Sequence, residues 1–153
     1  LGFKFMGYES HVEFNIKNHK AHVYATHGSH ASKHRKSRVK FAKDALEDYG
    51  SVVDSDNEYR SIQAVFYAHT HDCYVTPVDS KCLPDFSRSK MLHKTQWIAL
   101  TGNFDEGSGA LNKYSYASRG GYRPLPCGFV FAEFDDKRIK NIERKLFGAE
   151  LMY

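Results

Sequence analysis

The sequence predicts a β-rich α/β domain. Three features carry that expectation: short apolar runs of strand character, one segment of helical periodicity, and polar, glycine- or charge-rich stretches between them. Roughly six strands and one helix are expected, with the long connections gathered at one end of the strands.

Residues 11–16, HVEFNI, alternate polar and apolar, with Val12, Phe14 and Ile16 on one face. After Lys17-Asn18-His19-Lys20 comes AHVYAT (21–26), so the two runs read as a β-hairpin that delivers the chain to His27-Gly28-Ser29. Residues 29–38, SHASKHRKSR, are polar and basic. Val39, Ala42, Leu46 and Tyr49 then recur at helical spacing, and Gly50 supplies a stop. SVVDSDNEYR (51–60) reads as a loop, or a loop plus one turn, leading into a buried strand, IQAVFYA (62–68).

Residues 72–95 hold two prolines and many charges, which predicts a long surface excursion. QWIALTG (96–102) is a strand ended by Gly102, and residues 103–127 are rich in Gly, Ser and Tyr. GFVFAEFD (128–135) alternates, and Asp135-Asp136-Lys137 turns it into a last strand through IKNIERKL. Neither an internal repeat nor a low-complexity tract interrupts this pattern.

A chain of 153 residues is the size of one domain, here 1–153, and can bury a core without staples. Its 41% hydrophobic and 14% aromatic content excludes a disordered chain. No run approaches the ~18 apolar residues of a membrane-spanning helix, and the first residues do not read as a signal peptide. Cys73, Cys82 and Cys127 are odd in number and lack CxxC spacing, which argues against a disulfide framework and for a reducing, cytoplasmic setting. A net charge of +4 permits an anionic partner without demanding one. The chain starts at Leu1, which predicts either a removed leader or a start inside a longer protein.

Among nine histidines, His11, His19, His22 and His93 read as surface residues. His27, His69 and His71 differ, because each falls at the C-terminal end of an apolar strand, the edge at which open α/β sheets bind ligands. In an extended segment residues i and i+2 point to the same side, so the imidazoles of His69-Thr70-His71 can address one metal or two adjacent ones. HxH pairs also commonly satisfy hydrogen bonds at a surface, and the residues alone leave both readings open.

Taken in order, THGSH (26–30), a basic loop and helix, YAHTHD (67–72), LTGNF (100–104) and SYASRGGYRPLPCGFVFAEF (115–134) resemble the second half of calcineurin-like metallophosphoesterases, most of all the stand-alone forms of bacteriophages. The resemblance runs from about residue 1 to 140. It implies the C-terminal half of a metallophosphoesterase-type β-sandwich flanked by helices. It further implies that His27 and His69 bind one ion of a dinuclear pair and His71 the other, the ions being divalent manganese, iron or zinc. The substrate would be a phosphomonoester or phosphodiester, nucleic acid included, and a phage-encoded chain would act in the host cytoplasm.

The sequence departs from that family in three places. The Gly usual before HxH is Ala68, which the backbone accepts if its φ is negative. The loop after His27 is basic instead of glycine-rich. The family's first half, with its DxH pair, bridging Asp of a GD motif and GNH followed by Asp or Glu, has no counterpart here, and Asn103 of TGNF lies on the wrong side of HxH. Three neutral imidazoles without a bridging carboxylate hold two dications poorly. No catalytic residue is therefore assigned within this chain, and the expected partner is an N-terminal half, in the same precursor or on another chain.

Lys33, His34, Arg35, Lys36, Arg38 and Lys40 crowd the segment after His27. Lys33, Arg35 and Arg38 are candidate phosphate-binding residues; the other reading is a solvated first helical turn. Cations at a helix N-terminus oppose its dipole, so something must compensate, and a bound anion is one candidate. Tyr114, Tyr116 and Tyr122 with Arg119 and Arg123 either clamp a nucleotide or pack a loop over the sheet, and packing is the expectation. Two functions follow: the metal-binding half of a phosphoesterase, or a non-catalytic module that binds nucleic acid or protein.

Overall fold

The structure, a computed structural model, describes residues 7–28, 34–53, 55–70, 72–81, 93–102, 128–136 and 138–146. In chain order the elements are β1 (Glu9–Ile16), β2 (His19–Thr26), α1 (Arg35–Asp48), β3 (Ser51–Val53), β4 (Tyr59–Ser61), β5 (Ala64–Tyr67), β6 (Cys73–Lys81), β7 (His93–Thr101), β8 (Gly128–Phe134) and β9 (Ile139–Leu146). They form a mixed five-stranded sheet, β1-β2-β5-β7-β6, and two small hairpins, β3-β4 and β8-β9.

The hairpin expected at the start is present, with a tighter turn. Ile16 faces His19, so only Lys17 and Asn18 connect the strands, and Lys17 takes a φ of 52°. β2, β5 and β7 then run parallel, Thr26 beside Tyr67 and Tyr67 beside Leu100. These central strands are covered on both faces, which explains why β5 and the end of β7 read as unbroken apolar runs instead of alternating.

On one face α1 packs Ala42 and Leu46 against Tyr24, Val65, Tyr67, Ile98 and Leu100. On the other face, Ile139 and Ile142 of β9 meet Val23, Ala64 and Ala99, flanked by Trp97, Val130 and Phe134. Each fully buried Ile or Leu contributes about 1.5–3 kcal/mol, so these two interfaces hold the layers together. Polar ties add register: the Gln63 side-chain carbonyl accepts from the Ile139 amide at 2.8 Å, and the buried Gln96 amide donates to the Ile62 carbonyl.

Four expectations are corrected. His22, which reads as a surface residue, is buried within β2 at 4% exposed. Residues 73–81 form a strand of the main sheet, not a surface excursion; β6 is an edge strand, where Pro77 is tolerated because no neighbour needs its missing N–H. Residues 51–61 include the small hairpin β3-β4, with Asn57 at φ 60°, where the acidic and polar composition reads as loop. Lys20 Nζ reaches Asp56 at 2.7 Å and the Ser55 hydroxyl donates to Glu13 at 3.1 Å, anchoring that hairpin to the β1-β2 pair.

The helix also begins earlier than its apolar periodicity, at Arg35, with His34 as an N-cap that makes no side-chain capping bond. At its far end Gly50 keeps a negative φ, and its value lies in close approach: a Cβ there would collide with the Leu46 carbonyl oxygen. Among the described residues no helix is long and apolar enough to cross a membrane. The Gly-, Ser- and Tyr-rich stretch 103–127, with Asn103, Tyr114, Tyr116, Arg119, Tyr122 and Arg123, lies outside the described residues.

Candidate metal centre

Three parallel strands end at one edge of the sheet, and the chain segments that follow β2 and β5 carry the histidines. His27 comes directly after Thr26, and its amide donates to the Tyr8 carbonyl at 2.7 Å. The Ala68 amide donates to the Thr26 carbonyl at 2.9 Å, which extends the β2-β5 pairing by one residue beyond the register of Thr26 and Tyr67. His69 therefore emerges beside His27. Nδ1 of His69 lies 3.1 Å from Nε2 of His27, with ring centroids 4.9 Å apart and the planes at 71°.

Two local devices create this approach. Gly28 has a φ of 75°, and the Tyr67 ring fills the space that a Cβ would occupy there, so His-Gly is the pair that lets the chain turn away from β2 against that ring. At His69 the φ is 60°, and the Thr70 amide donates to the Ala68 carbonyl at 2.6 Å, closing a three-residue turn around the histidine. A positive-φ γ-turn is rare and strained, and strain of about 1–3 kcal/mol persists only where the surroundings over-determine the conformation. Ala68 itself is not in the positive-φ region, so its Cβ meets no backbone conflict; the left-handed residue is the one that follows it.

The next acid in the chain is Asp72, 1% exposed. Arg35 grips it with a fork, Nε to Oδ2 at 2.9 Å and Nη2 to Oδ1 at 3.2 Å, while Arg38 Nη1 lies 3.3 Å from Oδ2. Arg35 also lies 5.0 Å over the Tyr74 ring. The Asp72 hydrogen bond raises the Arg35 pKa above its ordinary value against the opposing effect of burial. The cationic first turn of α1 thus meets an anion from its own chain, the compensation that the basic run required.

Of the six residues singled out by sequence, His27 and His69 are brought together, Arg35 and Arg38 converge on Asp72, and His71 and Lys33 lie outside the described residues. Sequence reasoning passed over Asp72. Its signal was available in retrospect: an acid directly after HTH, with two arginines spaced i, i+3 in a run that lacked a counter-charge.

The 3.1 Å spacing suits an N–H···N hydrogen bond between neutral imidazoles, and it also suits one cation. Two nitrogens bound to an ion at about 2.0–2.1 Å stand about 2.8–3.4 Å apart for angles between about 90° and the tetrahedral value. Two imidazoles are an incomplete set. Among the described residues no group of three or more His, Cys, Asp or Glu is arranged to share a metal, and Asp72 is committed to its two arginines. No protein-family model, curated protein or solved structure matches the chain.

Proposed function

We propose that this chain supplies the histidine half of a dinuclear metal-dependent phosphoesterase that hydrolyses phosphomonoesters or phosphodiesters. An N-terminal half, in the same precursor or on a partner chain, brings the carboxylates. The observation that carries the reading is the convergence of His27 Nε2 and His69 Nδ1 to 3.1 Å from the ends of two adjacent parallel strands. A backbone that accepts a positive φ at His69 to make that contact supports it further.

In this reading His27 and His69 hold one divalent ion of manganese, iron or zinc, and His71 binds the second. When bound, such ions would lower the pKa of a water and neutralise charge that grows on the phosphoryl oxygens. The chain's own contribution is placement: the sheet edge brings the two imidazoles together before any ion arrives, with His27 exposed and His69 partly buried. Three neutral imidazoles cannot offset two dications, which is why the reading requires acids from elsewhere. Arg35, half-exposed and paired with Asp72, is proposed to meet a phosphate, together with Lys33 and Arg38.

Titration calorimetry with Mn2+ and Zn2+ tests this directly. Binding is expected in the wild type, lost in His27→Ala and His69→Ala, and reduced in stoichiometry or affinity in His71→Ala. Metal affinity indifferent to all three substitutions would sink the assignment. Salt-dependent binding to single-stranded DNA that survives them, with no metal bound, would instead identify a non-catalytic nucleic-acid module.

A further inference from the structure

We infer that Asp72 and Arg35 form a positioning clamp that holds His69 in its strained turn against His27. The consequence for metal binding rests on the functional reading above, whereas the conformational consequence does not. A left-handed histidine needs fastening on both sides. Upstream, the Ala68 amide is tied to the Thr26 carbonyl at 2.9 Å. Downstream, residue 72 is held twice: its carbonyl accepts from the Gly102 amide at 2.9 Å, and its carboxylate takes the guanidinium fork of Arg35 and the closer nitrogen of Arg38. Residue 72 thereby joins the histidine loop to the end of β7 and to the first turn of α1.

Burial makes the clamp specific. A carboxylate that is 1% exposed keeps its place only while charged donors face it, so the arginines decide where Asp72, three residues after His69, sits. Arg38 is nearly as buried, at 6% for its side chain, and secures the neutral balance of the interior. Arg35 is 48% exposed, stacked beside Tyr74, and supplies the two-point geometry. Its removal leaves the charge of Asp72 met by Arg38 but releases the orientation.

Arg35→Ala, Arg35→Lys and Asp72→Asn are compared with the wild type by NMR of the metal-free protein and by Zn2+ titration. The NMR readouts are the cross-ring NOE between His27 and His69 and the backbone couplings that report positive φ at His69. Arg35→Ala is expected to lose both signals while staying folded, and to weaken Zn2+ binding about 10-fold or more. Arg35→Lys, which keeps the charge without the fork, restores neither fully. Asp72→Asn gives the larger effect, and if it fails to fold, Arg35→Ala still decides. Retention of the NOE, the positive φ and the Zn2+ affinity in Arg35→Ala overturns the clamp. A wild type that shows both NMR signals, loses them in Arg35→Ala, yet binds no Zn2+ upholds the clamp and overturns the metal reading alone.

Discussion

Tyr67 occupies the space that a side chain at Gly28 would need: its Cε1 and Oη lie 2.5 and 2.6 Å from the position of a Cβ there. Gly28 also has a φ of 75°, so an L side chain is opposed twice, by backbone sterics and by a ring that is 4% exposed. Gly28→Ala is expected to cost about 2–4 kcal/mol. Urea denaturation reads this as a lowered midpoint with unchanged slope. In a double-mutant cycle with Tyr67→Ala the two costs should fall short of additivity, since removing the ring removes part of the clash. Additive costs would mean that ring and glycine do not meet.

His69 gives a second, internal comparison. Its φ of 60° favours glycine over any β-carbon residue. His69→Gly is therefore expected to be more stable than His69→Ala by about 1 kcal/mol, the reverse of the usual order for these two residues. Both variants lose the imidazole equally, so the difference isolates the backbone. Equal stability of the two in metal-free urea titrations would show that the turn relaxes when the ring is gone.

What the sequence disclosed follows from how local each cause is. Apolar runs such as AVFY and IAL announced β5 and β7, because burial on both faces leaves no ambiguity of pattern. β6 stayed hidden because Pro77 and Asp79 are signs of loop in isolation, and only the position of that strand at the sheet edge makes them harmless. His27 and His69 were legible as strand-end histidines. Their contact was not, since it depends on the parallel register of β2 with β5 across 42 residues and on a left-handed turn that no propensity favours for histidine. The basic run calls for a counter-charge, with a bound anion as one candidate; that Asp72 of the same chain supplies it depends on the start of β6 lying beside the start of α1.

Tyr24 sets an alkaline limit on stability. Burial, and then its hydroxyl's hydrogen bond to Glu9 Oε2 at 2.6 Å, push its pKa well above the ordinary value of about 10. A group whose pKa is raised in the folded state favours the protonated form there, so its contribution is fully present below about pH 10 and is lost as pH rises through the folded value. Tyr24→Phe removes this titration. The variant is expected to be less stable at neutral pH, by about 1 kcal/mol for the lost hydrogen bond, but to lose stability less steeply above about pH 10. Parallel curves for the two proteins in that range would contradict the assignment.

Cys73 offers a probe of the sheet edge that carries the site. It is 1% exposed, burial pushes its thiol pKa upward, and its Sγ lies 3.4 Å from the Phe129 carbonyl it donates to. A thiol that is both covered and protonated is a poor nucleophile, so iodoacetamide at neutral pH is expected to leave Cys73 unmodified in the folded protein and to alkylate it in urea. Peptide mass mapping distinguishes it from Cys82 and Cys127. Because Cys73 is the first residue of β6, directly after Asp72, its slow labelling in the native state measures how often that end of the strand opens. Arg35→Ala should speed labelling of Cys73 by loosening Asp72, whereas His27→Ala, which leaves the Asp72 fork intact, should not. If both variants label Cys73 at the wild-type rate, the start of β6 is held by β7, β8 and the Arg144 side chain of β9, which donates to the Cys73 carbonyl at 3.1 Å, and the fork to Arg35 contributes little to the order of that edge.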